Sequence, residues 1–328
     1  MLSVRSFIDS WNHFFFSPRP TEGMAVFRII WCSILLAYFL LDLNNISDFY
    51  GPHAILSLKT IKGYFPALHA NIFQFFGSSY EVVYGVLAIY GVALVMSILG
   101  LYTRASLIVV LIIMTSLHQR NIWLLSSSEV LMRVMTVLLV CSPCGHSLSI
   151  DSLLGRKFSE FRRDKEWAPW AWRLIQIQLS VVYVWTVWHK LKGDLWFDGT
   201  AVYYATRLEN LKNFTLPYFL DALWFLKIST WGTLALELAL GTLIWFKEFR
   251  RPLILGGILF HLGIEYMMSI PFFEIIMMAL LLNFYTPEEY KDAVGSSRNK
   301  LISMLQSSKI RTAWKEKLLW AMQGNQAT

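Results

Sequence analysis

An all-α, polytopic membrane protein with about eight transmembrane helices is the fold class this sequence predicts. Three observations carry the prediction. Of 328 residues, 55% are hydrophobic and only 16% charged, and the mean hydropathy is +0.47. A soluble domain needs roughly a quarter of its residues charged to cover its surface. Long apolar stretches recur with aromatic residues at their ends, the pattern of bilayer-spanning helices with interfacial belts. The formal charge of +7 is confined to a few hydrophilic segments between those stretches. That distribution matches cytoplasmic loops rather than a nucleic-acid-binding face, so a lipid bilayer and not nucleic acid is the expected partner.

The elements follow in order. Residues 1–18 form an interfacial segment in which "SVRSFIDSWNHFFF" sets Phe7, Trp11, Phe14 and Phe15 on one helical face. The membrane domain, 19–290, holds eight apolar runs: Met24–Leu41, Val82–Leu101, Ala105–Leu117, Val130–Cys144, Leu174–Trp188, Ile228–Phe246, Leu253–Met268 and Pro271–Tyr285. The first is long enough to be retained rather than cleaved as a signal peptide. Several need their flanking Trp, Tyr and Ser to reach the roughly 20 residues that cross a bilayer. Residues 291–328 form a basic tail, with Leu301, Met304 and Leu305 on one side. It reads either as a surface helix against anionic lipid or as a solvated positive tail.

Lysine and arginine fix the expected orientation. With all eight runs crossing and a cytoplasmic N-terminus, nineteen of the 29 basic residues fall on the cytoplasmic side and eight on the other, with Arg28 and Arg133 inside helices. The positive-inside rule therefore puts both termini in the cytoplasm of a multi-pass protein, a bacterial cell-membrane arrangement. Lys190 faces outward in this topology.

Ionisable groups inside such helices cost about 2.5–3.5 kcal/mol each, so each needs a partner or a task. Glu129 and Arg133, four apart on one face, read as a structural ion pair. Glu237 and Arg28 have no partner on their own helices, which allows a pair between them. His261 and Glu265 in "FHLGIEYM" share a face, as a core pair or as walls of a polar cavity. The H-E-x-x-H metal pattern is absent and one His with one Glu is too few ligands, so no metal is expected. "CSPC" at Cys141 and Cys144 reads either as a redox pair or as inert helix-end packing, with no βαβ pattern around it.

"WHKLKGDLWFDG", residues 188–199, ends an apolar run with His189 and Lys190 and continues into a Gly/Asp turn carrying Trp196 and Asp198. A lysine there can snorkel to the headgroups. Partial burial would instead make it a base near neutral pH. The sharper expectation is an outward-facing pocket holding Lys190, with His189, Trp196, Asp198, Glu237, His261 and Glu265 as walls. It would have to reach about 10 Å inward, roughly seven residues of helix rise.

These residues also resemble a known family. "AVFRI", "LGLYTRAS", "LSIDSLL", "HKLKGDLWFDGTAVYY" and "FHLGIEYMMSIPFFEIIMMALLLNFYTPEEY" occur in the order found in the membrane domain shared by vitamin K-dependent γ-carboxylases and HTTM (horizontally transferred transmembrane) proteins, over residues 18–290. The resemblance implies a lysine base at Lys190, a functional histidine at His261, and a reduced quinone (a vitamin K-like hydroquinone) as co-substrate for carboxylating or oxidising a secreted peptide or protein. Where the carboxylases carry a histidine before their fourth helix, this chain reads "WLLSSSEVL", with Ser127 or Ser128 instead. A shorter relative of the same type serves the maturation of a secreted sporulation-delaying toxin. The resemblance thus also implies, as the alternative, a maturation or export factor without quinone chemistry, and a membrane scaffold or transporter is the third class.

Overall fold

The computed structural model of the protein describes residues 4–64, 71–122, 125–154, 166–214, 217 and 221–307. Helices α1 (Val4–Phe16) and α2 (Glu22–Asp42) are followed by the short α3 (Ile46–Tyr50), α4 (Leu58–Tyr64) and α5 (Ile72–Phe76). Then come α6 (Tyr80–Leu99), α7 (Thr103–Arg120), α8 (Ser127–Cys141) and α9 (Ile150–Leu153). The second half holds α10 (Trp170–Lys190), α11 (Asp194–Phe197), α12 (Ala201–Ala205), α13 (Leu223–Thr242), α14 (Lys247–Met267), α15 (Phe273–Leu282) and α16 (Pro287–Ser307). Two-residue strands β1 (Arg19–Pro20) and β2 (Glu166–Trp167) pair antiparallel, Arg19 opposite Trp167.

All eight apolar runs are helices. By length and hydropathy, three stretches among the described residues are long and apolar enough to cross a membrane: Glu22–Tyr50, Tyr80–Leu99 and Leu223–Trp245. The other five fall short for visible reasons. α15 is ten residues, α8 fifteen, and α14 opens on the charged Lys-Glu-Phe-Arg-Arg. Lipid-like surroundings are written on the outside of the bundle, where Ile89 and Val92 of α6, Ile112 of α7 and Leu255 and Leu259 of α14 are exposed. Apolar side chains can face outward in hydrocarbon, and packing inside then relies on shape rather than on exclusion of water.

The bundle has two packed halves. α2 packs on α6, and α7 on α6 and α8; α10 packs on α13, α8 and α15, and α14 on α13 and α15. α2 also meets α8 and α15, which joins the halves around Trp31, Leu35, Met132, Met277 and Leu280. Trp31 and Thr136 tie α2 to α8 by an indole-to-hydroxyl bond of 3.1 Å.

The first-half motifs meet at one end of the bundle. Gly100 ends α6 in the left-handed region (φ 67°), where a Cβ would strike Ser149 at 2.4 Å. Asp151 accepts the Tyr102 and Thr103 N–H groups, both at 2.9 Å, and so caps the start of α7. Arg28, fully buried on α2, donates to the carbonyls of Cys144 (2.7 Å) and Leu148 (2.5 Å). "AVFRI", "LGLYTRAS" and "LSIDSLL" are therefore one structural knot. Cys144 joins it through its carbonyl, while Cys141 is exposed and all three cysteines are free.

At the other end Arg120, the last residue of α7, is fully buried and donates to the carbonyls of Leu56 (2.5 Å) and Gly51 (3.1 Å). The expected Glu129–Arg133 pair does not form. Glu129 is the third residue of α8, and its carboxylate turns back to take the Ser126 N–H at 2.7 Å and the Tyr38 hydroxyl at 2.8 Å. A capping box aims the side chain toward the helix start, away from the residue four positions on.

α1 also differs in detail from the expected apolar face. Phe15 is buried and Phe14 packs on Trp245, while Phe7 and Trp11 are exposed beside Val4 and Ile8. The side chains of Leu301, Met304 and Leu305, on which the expected tail face rests, and the tail beyond residue 307 lie outside what the structure describes, as do the basic residues between 156 and 165.

Candidate functional site

Four helices bring ionisable side chains to one place, and their spacing explains why. The buried stripe of α10 runs Ile175, Leu179, Tyr183 and Val187, steps of four along one face. Lys190, seven residues after Tyr183, continues that face at the helix end. On α13 the buried Thr230 and Glu237 are likewise seven apart; on α14 Ile254, Gly257 and His261 follow steps of three and four. Glu274 lies in the first turn of α15, where a carboxylate is favoured by the helix dipole. Glycines allow the close approach. A Cβ on Gly241 would meet Val184 of α10 at 2.8 Å, and one on Gly257 would meet Leu281 of α15 at 2.7 Å.

Two linked groups result. Lys190 Nζ donates to Glu237 Oε1 at 2.5 Å and sits 4.8 Å over the Trp196 ring. The lysine side chain is 24% exposed and the glutamate 9%. Glu237 Oε2 is buried without a hydrogen-bond partner. Deeper in, the Tyr183 hydroxyl meets His261 Nε2 at 2.7 Å, and His261 Nδ1 meets Glu274 Oε2. Tyr183, His261 and Glu274 are all nearly inaccessible. Glu237 is within electrostatic reach of His261 and Glu274, and Tyr183 of Glu237 and Glu274, so the two groups share one field.

The partners assign the protons. A carboxylate only accepts, so Nδ1 carries hydrogen toward Glu274, and Nε2 accepts from the tyrosine hydroxyl. This is the arrangement in which an acid orients an imidazole and stabilises its charged form while the imidazole polarises a hydroxyl. The geometry can receive a proton at Nε2 and hold the resulting imidazolium against Glu274. The Lys190–Glu237 pair is a charge-assisted bond in which one proton can reside on either partner.

The sequence-derived site is gathered only in part. Lys190, Glu237 and Trp196 meet. His261 is adjacent, but its partner is Glu274 and not Glu265, because α15 folds back against α14 and presents its first turn to Nδ1. Glu265 Oε2 is buried and unpartnered, one turn along α14. Glu237 pairs with Lys190 and not with Arg28, which spends its donors on backbone carbonyls at the other end. His189 is exposed and rests against Trp185, with ring centroids 4.7 Å apart, and Asp198 is exposed. Neither joins the cluster. Sequence reasoning passed over Tyr183; its signal was the two-turn spacing to Lys190. Among the described residues no group of three His, Cys, Asp or Glu side chains is placed to hold a metal ion.

The family model described as the HTTM domain matches residues 16–288, which contain every residue of the cluster. The chain belongs to the HTTM family. It is a membrane protein of that family, built on apolar helices. It is also similar to the "Uncharacterized protein YitO" of Bacillus subtilis (strain 168), 29% identical over 121 residues. That match takes in 35% of this chain and 38% of the relative, so the chain spans well under half the length of that protein. No solved structure matches this HTTM chain.

Proposed function

We propose that this HTTM protein is a multi-pass membrane enzyme, of eight spans with both termini cytoplasmic, that abstracts a proton from a reduced quinone at Lys190 and couples this to carboxylation or oxidation of a secreted peptide. The observation that carries the reading is the juxtaposition of a lysine–carboxylate pair with a Tyr–His–Glu relay inside the helices of the family domain. Ionisable groups at that depth mark proton paths more often than folding devices. The basic asymmetry of the loops supports the topology, with Lys190 toward the outside.

The residues fit a hydroquinone. Glu237 Oε2, buried and unpartnered, can accept an O–H that Lys190 lies beside. When bound, a reduced quinone supplies an ionisable phenolic hydroxyl and two reducing equivalents. Lys190 becomes a base by passing its proton to Glu237, which leaves a neutral amine in a low-dielectric site. Tyr183 and His261 offer a second proton route, ending as an imidazolium held by Glu274. Trp196 covers the ammonium and limits water.

The test uses the full chain in lipid nanodiscs, with a short-chain reduced naphthoquinone and dioxygen, following quinol consumption. Lys190→Met and Glu237→Gln are expected to lower the rate about 10²–10⁴-fold. A second reading, a peptide maturation or export factor without quinone chemistry, is favoured by the closed Lys190–Glu237 pair, in which Lys190 Nζ already has its partner. It wins if the wild type leaves the quinol untouched while Lys190→Met abolishes peptide maturation in cells. Full activity of Lys190→Met in both assays removes the base role altogether.

A further inference from the structure

We propose that the cavity between α1 and the start of α10 is a binding site for the phosphate of an anionic phospholipid. The cavity measures about 680 Å³ and is walled by Arg5, Asp9 and His13 of α1, by Arg19 of β1 and by Arg173 of α10. Arg5, Asp9 and His13 are spaced by four, so one face of α1 supplies them. Three guanidinium groups converge there against two carboxylates, Asp9 on the wall and Glu288, which pairs with Arg19 at 2.9 Å. The surplus is cationic.

Arg173 is set in place before any ligand arrives. Its Nε donates to the Phe14 carbonyl at 3.3 Å, its Nη1 to Gln176 at 3.0 Å, and its guanidinium lies 4.4 Å over the Phe14 ring. A planar fork held in this way suits phosphate oxygens, and its rotamer entropy is already spent.

The lipid source follows from what borders the cavity. The neighbouring face of α1 carries Val4, Phe7, Ile8 and Trp11, all exposed. A charged stripe and an apolar aromatic stripe side by side on one helix fit a membrane surface, with headgroups on one flank and acyl chains on the other. A soluble phosphate would leave that apolar stripe in water. The site is also remote from the proton-handling cluster. Arg173 and Lys190 are seventeen residues apart on one helix, about 25 Å of rise.

Native mass spectrometry of the full chain in mixed micelles tests this, by counting retained dioleoylphosphatidylglycerol against dioleoylphosphatidylcholine. The wild type is expected to retain the anionic lipid selectively and to keep it in millimolar inorganic phosphate. Arg5→Gln and Arg19→Gln, both surface changes, should each weaken retention about fivefold. Lys291→Gln, an equal charge change on exposed α16, should leave it unaltered. Equal retention of both lipids, equal loss in the Lys291 control, or unchanged retention in both arginine variants at wild-type melting temperature overturns the proposal. Displacement of the lipid by inorganic phosphate also overturns it and reassigns the cavity to a soluble anion.

Discussion

The two halves of the bundle hold their buried basic groups by opposite means. In α2, α6, α7 and α8 the buried arginines end on backbone carbonyls: Arg28 on Cys144 and Leu148, Arg120 on Leu56 and Gly51. In α10, α13, α14 and α15 ionisable side chains meet each other: Lys190 meets Glu237, and Tyr183, His261 and Glu274 form a chain. A guanidinium on a carbonyl cannot exchange its proton within a working pH range, since neither partner titrates there. An amine on a carboxylate, or an imidazole between a phenol and a carboxylate, can. The first half anchors its basic groups on backbone, and the second pairs them with other titratable side chains, as the proposed proton transfer requires, although both look alike in hydropathy.

The sharpest break of this contrast is Arg28→Met. It strands the buried carbonyl of Cys144 and the partly buried one of Leu148, each worth roughly 1–3 kcal/mol when unpaired, so a loss of about 2–5 kcal/mol is expected. Reduced yield and a lower melting temperature of the purified chain in detergent would register it. Arg120→Met should cost a similar amount and expose the segment around Gly51–Leu56 to protease. If both variants melt like wild type, the arginines are not the anchors of their half.

Next in size is the Lys190–Glu237 pair. Lys190→Met leaves a buried carboxylate without its counter-charge, which should cost about 2–3 kcal/mol, less than a fully buried pair because the lysine is partly exposed. The double variant Lys190→Met/Glu237→Leu should recover to within about 1 kcal/mol of wild type while staying inactive. No similar rescue exists for Arg28, whose partners are backbone. Thermal melts of the three proteins separate the cases.

Much of this contrast was legible beforehand, and what was not has physical causes. The eight helices follow from apolar runs, and Lys190, Glu237 and His261 stood out as charges in greasy surroundings. Glu129 misled because an i, i+4 rule ignores that a third helical residue turns back to cap its own start. Glu265 misled for the complementary reason: it shares a face with His261, but helix periodicity says nothing of the next helix. Glu274 sits beyond the break at Ser269–Pro271, and only the fold of α15 against α14 carries it to Nδ1. Tyr183 was one of 14 tyrosines in the chain, and its two-turn offset from Lys190 became meaningful only once α14 lay opposite. Three of the five family-like motifs turned out to be packing.

A smaller effect probes the relay itself. Tyr183→Phe keeps the ring and removes the hydroxyl, leaving His261 Nε2 unpaired in an apolar site. About 1–2 kcal/mol of stability is expected to go, with the quinol-dependent rate falling by much more. A variant that loses stability and keeps its rate would make the relay a packing device, like the arginine anchors.

The smallest effect sets the scale for charges that neither half buries. On the start of α16, Glu288 pairs with Arg19 at 2.9 Å and Glu289 with Arg251 at 2.6 Å, each pair partly or wholly exposed. Burial alone would raise both carboxyls. For Glu288 the helix-start N–H and Arg19 outweigh it, and for Glu289 the Thr286 N–H and Arg251 do, so both sit below the ordinary 4.5. A depressed carboxyl pKa means that the unfolded chain binds the proton more readily. The stabilisation is therefore complete above about pH 5, fades as pH falls through 4.5, and is gone below the folded value. Exposed pairs contribute about 0.2–1 kcal/mol each and weaken with salt. The difference in melting temperature between wild type and Glu288→Gln/Glu289→Gln should accordingly be small at pH 7, smaller in high salt, and absent in acid. Were that difference as large as for Arg28→Met, burial would not be what separates the two kinds of charge, and the division of the bundle into a backbone-anchored half and a side-chain-paired half would lose its basis.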